Sequence, residues 1–257
     1  MEASVDAPMP PHRDRASLVA LDLHRLLMYG GADASNKRFD DTWVYNLKTC
    51  SWKEIKTFQT IPSSVPVVAA SSKPRSRCSA TLFSVGNRVL LFGGDCGGSV
   101  GPNNELWSLR GGGTGIGSGG VESESSGVMQ WTELSLTGAV PSARRGHAAA
   151  PIISASSPLA NAIVFVGGLS EQKSMLGMKK QTELLIDVVV LQLQQGALSW
   201  RRVETTSSGA GSGRPFPREK HTLVALRDGR LFLFGGRFFL RRYYTREMRD
   251  HFTSSPL

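Results

Sequence analysis

Four times in this chain a run of apolar residues ends in a pair of glycines. Residues 25–31 read RLLMYGG, 88–94 RVLLFGG, 162–168 AIVFVGG and 230–236 RLFLFGG. The first glycines are Gly30, Gly93, Gly167 and Gly235, so the spacings are 63, 74 and 68 residues. A recurring internal period with insertions constrains a fold more than any single motif does. Successive residues of a strand point to opposite faces, so a run such as LFLF needs apolar cover on both sides.

Other features travel with each glycine pair. Downstream of the first three lies a strand opened by Asp or Asn: DTWVYNL at Asp41, NELWSLR at Asn104 and DVVVLQL at Asp187. A tryptophan follows in each, at Trp52, Trp131 and Trp200. Upstream lies another strand entered through a basic residue, Arg15, Arg77, Arg144 with Arg145, and Arg218. Ala16, Ser79 and His221 stand 14 residues before the first glycine, and His147 stands 20 before it because SASSPL is inserted. Each unit therefore holds four short strands separated by turns, the pattern of an antiparallel meander. Sheets of this kind stacked radially cover one another on both faces, which is a β-propeller. The paired glycines Gly31, Gly94, Gly168 and Gly236 fit close backbone approach at the strand ends.

The set of basic entry, apolar-Gly-Gly, Asp/Asn-led strand and tryptophan resembles the kelch repeat, over roughly residues 15–236. The resemblance implies an all-β kelch propeller of four-stranded blades at about 13–56, 75–134, 144–202 and 217–257, after a flexible tail over 1–12. The last blade is incomplete by pattern: after Gly236 the chain reads RFFLRRYYTREMRDHF, with no Asp/Asn strand and no closing tryptophan. Family propellers usually have more blades, so self-association or a further segment is expected to complete the ring.

Composition narrows the functional classes. The length of 257 residues supports a sizeable core without disulfides. Cys50, Cys78 and Cys96 are scattered, with no Cys-x-x-Cys spacing, as expected in a reducing compartment. The N-terminal MEASVDAPMPPHRDR has no apolar core of a signal peptide, and LLIDVVVLQL from Leu184 is too short for a bilayer, which takes ~20 residues. These features give the expectation of a cytoplasmic or nuclear protein without a membrane partner. The net charge of +9 favours acidic partners.

In a meander the loops between strands 2 and 3 and the links between blades share one face, and loops on a rigid scaffold commonly carry binding. That face is expected to hold residues 32–39, 95–103 and 169–181, the links at 57–74, 137–143 and 205–217, and the basic strand starts. Arg77, Arg144, Arg145, Arg218, Lys37, Arg38, Asn103 and Lys173 are the expected contacts to an acidic segment of another protein, since the guanidinium fork pairs well with carboxylates. A competing role for the arginines is to bond carbonyls or acids of the neighbouring blade and hold the ring together. His147 and His221 are read as structural, because other residues replace them in the first two units. The formal Gly-x-Gly-x-x-Gly at Gly115, Gly117 and Gly120 lacks a following helix and reads as an insertion.

No cofactor or metal is expected from ligand spacing. The leading expectation is a non-enzymatic interaction scaffold or adaptor. A channel-sited oxidase or lyase-like specifier is the alternative that the resemblance brings with it. Nucleic-acid binding ranks last on so modest a charge excess.

Overall fold

The computed structural model describes residues 8–56, 73–85, 88–111, 129–152, 162–172, 181–194, 197–205 and 215–238. The first sheet comprises β1 (Ser17–Ala20), β2 (Arg25–Tyr29), β3 (Thr42–Asn46) and β4 (Ser51–Glu54). The second comprises β5 (Thr81–Val85), β6 (Arg88–Phe92), β7 (Leu106–Gly111) and β8 (Met129–Leu134). The third comprises β9 (Ala148–Pro151), β10 (Ala162–Gln172), β11 (Gln181–Gln194) and β12 (Ala197–Val203). Each is an antiparallel meander in sequence order, and β13 (Glu219–Ala225) with β14 (Leu231–Arg237) forms a two-stranded fourth sheet. Among the described residues no helix is long and apolar enough to cross a membrane.

The sheets stack face to face with one apolar layer between each pair. Leu27, Tyr29 and Val44 of the first sheet meet Leu82, Leu91, Trp107 and Trp131 of the second. Phe83, Leu90 and Phe92 meet Phe165, Leu191 and Trp200 across the next gap. Ala148, Val164, Val166 and Val190 meet Leu223 across the last. Aromatic rings lock these layers edge-on, as where Tyr29 and Trp131 stand 5.3 Å apart and Phe92 and Phe165 do the same. The all-β propeller architecture expected from the repeats is present.

The innermost strands are joined by hydrogen bonds that step from sheet to sheet. The Ser17 hydroxyl donates to the Ala80 carbonyl at 2.8 Å and the Thr81 hydroxyl to that of His147 at 3.2 Å. A backbone chain runs beside them: Ser79 N–H to Arg15 O (2.9 Å), Gly146 N–H to Ser79 O (2.9 Å) and Lys220 N–H to Gly146 O (2.6 Å). Arg15, Ser79, Gly146 and Lys220 all have positive φ, so they are the same position of successive units. That alignment corrects the repeat. Ala80, not Ser79, matches Ala16, His147 and His221, because β5 turns into β6 with Val85 opposite Arg88 whereas β1 and β2 pair Ala20 with Leu26.

Among the described residues, sheets lie against both faces of β6 and β10, whereas β2 and β14 each have a sheet against one face. Leu27, Leu90 and Val164 are at most 1% exposed, yet the equivalent Phe232 of β14 is 60% exposed. Among the described residues no further sheet lies against β14, so RLFLFGG is covered on one face only. The stretch expected as a loop from Leu169 is partly strand, since β10 runs to Gln172 and β11 begins at Gln181.

His147 stands over the preceding sheet's glycine, and a Cβ added to Gly93 would meet its Cε1 at 2.9 Å. Both ring nitrogens of His147 lack partners. Burial, with the charge of Arg144 next, pushes its pKa down to about 3. His221 is shifted in the same direction, also chiefly by burial. A folded-state pKa below the unfolded value near 6.5 means that the unfolded chain binds the extra proton below that pH. Stability is therefore expected to fall as pH drops from 6.5 towards 3, by up to about 1.4 kcal/mol per pH unit for His147. Denaturant midpoints between pH 7 and pH 5 should fall in the native chain. They should fall less in the His147→Ala variant, which carries the residue already present at Ala16 and Ala80.

Candidate functional site

The face bearing the glycine pairs is built from one device used repeatedly. In each of the first three sheets a buried arginine enters the inner strand and reaches backbone carbonyls and a carboxylate. Arg77 Nε donates to the Arg75 carbonyl (3.0 Å), Nη1 to the Gly93 carbonyl (2.9 Å) and to Asn103 Oδ1 (3.1 Å), and Nη2 to Glu105 Oε2 (2.5 Å). Arg144 repeats this on the Ser142 and Gly167 carbonyls, both 3.1 Å, and clasps Asp187 through two 2.8 Å bonds. Arg13 does the same in the first sheet, with the Pro11 and Gly30 carbonyls at 3.0 Å and a bidentate pair to Asp41. The tryptophans of β3 and β7 complete the clasp: Trp43 Nε1 donates to Asp41 and Trp107 Nε1 to Glu105.

The Arg77 and Arg144 side chains are 0% exposed, so they are not docking contacts. Their charge is spent inside the blade, where a buried cation requires a partner. They also do not bond to the neighbouring blade through their side chains, as the competing expectation had it. It is their backbone that crosses: Gly31, Gly94 and Gly168 N–H donate at 2.9 Å to the carbonyls of Arg77, Arg144 and Arg218. The arginine of the first sheet is Arg13 rather than Arg15, and the acid of the second is Glu105 rather than a group at Asn104. Asn104 instead donates to the Pro141 carbonyl at 3.3 Å.

These pairs leave an imprint on titration. Burial by itself raises the carboxyl groups of Asp41 and Glu105, but Arg13 and Arg77 overcome it and hold both below the ordinary carboxylate range.

The remaining candidates divide into paired and exposed groups. Arg38 Nη2 reaches Asp95 Oδ2 at 3.1 Å and Arg145 Nη1 reaches the same oxygen at 2.5 Å, so one buried carboxylate takes two guanidiniums from two other sheets. Burial opposes ionisation of Asp95, while the Gly97 N–H and the two arginines keep its pKa low. Arg145 also faces Glu171 at 3.4 Å. Arg15 lies alongside on Asp14 and Asn36. Lys37 and Lys220 are exposed on the same face. Asn103 is buried beneath it on Arg77 and Cys96. Arg218 keeps the carbonyl pattern, with Phe216 and Gly235 at 3.0 and 2.8 Å. Lys173, the glycine run at 115–120, most of the links at 57–74 and 205–217, and the stretch after Phe238 lie outside the described residues. Among the described residues no group of His, Cys and carboxylate side chains is placed to hold a metal ion.

The clasp has an energetic consequence. Removing one partner of a buried ion pair strands the other and costs roughly 3–5 kcal/mol. Asp187→Asn is expected to lower unfolding stability by about that much, read from urea denaturation, because Arg144 has no exposure to water. Lys37→Gln, on an exposed side chain, should stay within about 0.5 kcal/mol of the native chain.

Comparison with known proteins agrees with this architecture. The model of the KLHDC2/KLHL20/DRC7 kelch-repeats domain matches residues 1–236. A flagellar outer-arm dynein alpha chain of Chlamydomonas reinhardtii is 38% identical over 106 residues, which is 41% of this chain and 2% of that protein. An F-box/kelch-repeat protein of Arabidopsis thaliana is 27% identical over 248 residues, 92% of this chain and 41% of the relative. Host cell factor 2 of Homo sapiens is 26% identical over 219 residues, 82% of this chain and 23% of the relative. This chain thus spans less than half the length of each of these relatives. A family match over nearly all of the described strands, on sheets closed by the same arginine, glycine and acid device, means that the chain belongs to the KLHDC2/KLHL20/DRC7 kelch-repeat family.

Proposed function

We propose that this chain is a non-enzymatic interaction propeller that receives an acidic segment of a partner protein on the face bearing the glycine pairs. The observation that carries the reading is the sharing of Asp95 by Arg38 and Arg145, with Arg15 beside it and exposed Lys37 and Lys220 around it. A partner carboxylate arriving here meets guanidinium donors already held in place, so little side-chain freedom is lost on binding. The inner strands supply the rigid floor, and residues 33–38 and 95–103 supply the loops. The kelch-repeat family model over residues 1–236 and the F-box/kelch-repeat relative add support at the level of the fold. Localisation in the cytoplasm or nucleus belongs to the same proposal and rests on the scattered, unbridged cysteines.

Selection from a random peptide display library tests the reading. Sequences rich in Asp and Glu are expected to be enriched by the native chain, with affinity that weakens as salt is raised. The variant Arg15→Glu, Lys37→Glu, Lys220→Glu should bind them roughly ten-fold more weakly, while its circular dichroism is unchanged. Enrichment of uncharged peptides, or equal binding by the variant, would overturn the acidic-segment reading.

A further inference from the structure

The guanidinium that Arg38 brings to Asp95 reaches from the loop between β2 and β3 to the loop between β6 and β7, and the surface it lies on is a glycine. A Cβ added at Gly97 would collide with Arg38 Nη1 and Cζ and would stand 2.9 Å from Nε. The fork of Arg38 therefore occupies the space that any side chain at position 97 would take. The φ of Gly97 is +71°, a conformation that residues with a Cβ seldom adopt.

The contacts that fix this guanidinium converge on the same spot. Its Nε donates to the Asp95 carbonyl at 2.9 Å, its Nη2 to Asp95 Oδ2 at 3.1 Å and its Nη1 to the Asn36 carbonyl of its own loop at 3.2 Å. The Gly97 N–H donates to Asp95 Oδ1 at 2.8 Å, which leaves Oδ2 for the two arginines. The loop that carries Arg38 is itself braced. Asp33 Oδ1 accepts from the Ser35 hydroxyl at 2.7 Å and from the Lys37 N–H at 2.9 Å, and the Phe39 ring lies under the Arg13 guanidinium at 4.0 Å. With both ends of the loop held, three hydrogen bonds and the glycine surface define where the Arg38 guanidinium stands.

The neighbouring glycine supplies a contrast. Gly98 has φ of +54°, also left-handed, yet a Cβ there meets nothing within 4 Å. Turn geometry accounts for a glycine at 98, whereas at 97 the approaching guanidinium adds a second requirement. Arg145 reaches the same oxygen from the segment that enters β9, so Gly97 governs one of the two guanidiniums and leaves the other in place.

We infer that Gly97 is a positioning residue of the acidic-partner site: the lack of a side chain there keeps the Arg38 guanidinium beside that of Arg145, so that a partner carboxylate meets the two together. The inference rests on the acidic-segment reading and names the residue on which its geometry turns. Gly97 brings neither charge nor side chain to the partner and acts through Arg38. Its effect on binding therefore vanishes once Arg38 is removed.

Anisotropy of a fluorescein-labelled hexa-aspartate peptide titrated with the 257-residue chain tests this in a double-substitution cycle. Gly97→Asn keeps a residue tolerant of positive φ but adds the Cβ that evicts Arg38. Gly97→Asn and Arg38→Gln are each expected to weaken binding about five-fold, and the doubly substituted chain should bind no more weakly than Arg38→Gln alone. Gly98→Asn, the same change where the Cβ meets open space, should bind as the native chain does. Native affinity in Gly97→Asn would overturn the inference. So would losses that multiply in the double variant or an equal loss in Gly98→Asn, because position 97 would then act through the backbone and not through Arg38. A Gly97→Asn chain that does not fold, read by circular dichroism, would overturn it too, since moving the tip of a flexible side chain leaves the sheets in place. A native chain that does not bind the peptide would overturn the acidic-segment reading itself, and this inference with it.

Discussion

The structure depends on what happens to a buried guanidinium. Arg77 and Arg144 are withdrawn from water, a placement that is tolerable only when several acceptors converge on the charge. A glycine carbonyl, a carbonyl two residues upstream of the arginine and a carboxylate in or just before the third strand converge in each of the first three sheets. The inner entry, the glycine pair of the second strand and the third strand are thereby tied at one point. Because that point is the glycine pair, the arginine backbone can approach the preceding sheet closely enough to accept from Gly31, Gly94 or Gly168. One residue type therefore organises its own sheet with its side chain and couples to the sheet before it with its backbone.

Packing then follows from that spacing. With the sheets held at backbone hydrogen-bond distance near the axis, the alternating side chains of β2, β6 and β10 interleave, and Trp131 and Trp200 close the outer parts of the gaps. The fourth sheet lacks both an acid for Arg218 among the described residues and a neighbour beyond β14. Its exposed phenylalanines are the direct result, and they contrast with the same positions one, two and three sheets earlier.

The loop face is less positive than a count of arginines suggests. The arginines at the strand starts are spent on the clasp, and Arg38, Arg145 and Arg15 lean on Asp95, Glu171 and Asp14. What is left for a partner is a preorganised cluster with lysines around it, rather than a ring of free cations. The distinction matters because removing a clasp arginine tests the fold, whereas reversing Lys37 or Lys220 tests the surface.

Periodicity made the propeller legible. The repeated apolar-Gly-Gly runs demand strands buried on both faces, and stacked sheets satisfy that demand for β6 and β10. The basic entries were also visible, but their role was not. Whether Arg77 points into solvent or folds back onto Glu105 depends on a carboxylate 28 residues away, brought close by the antiparallel turn of β6 into β7. The same blindness misplaced the first arginine and the second acid, because Arg13 and Arg15, or Asn104 and Glu105, differ by one or two positions and strand register decides between them. Sequence alone determined the repeat, the strand alternation and the glycines, since these are local properties of residue size and polarity. Tertiary structure alone decided which charges are buried and which carboxylate Arg38 and Arg145 share, since each requires groups distant in the chain to meet.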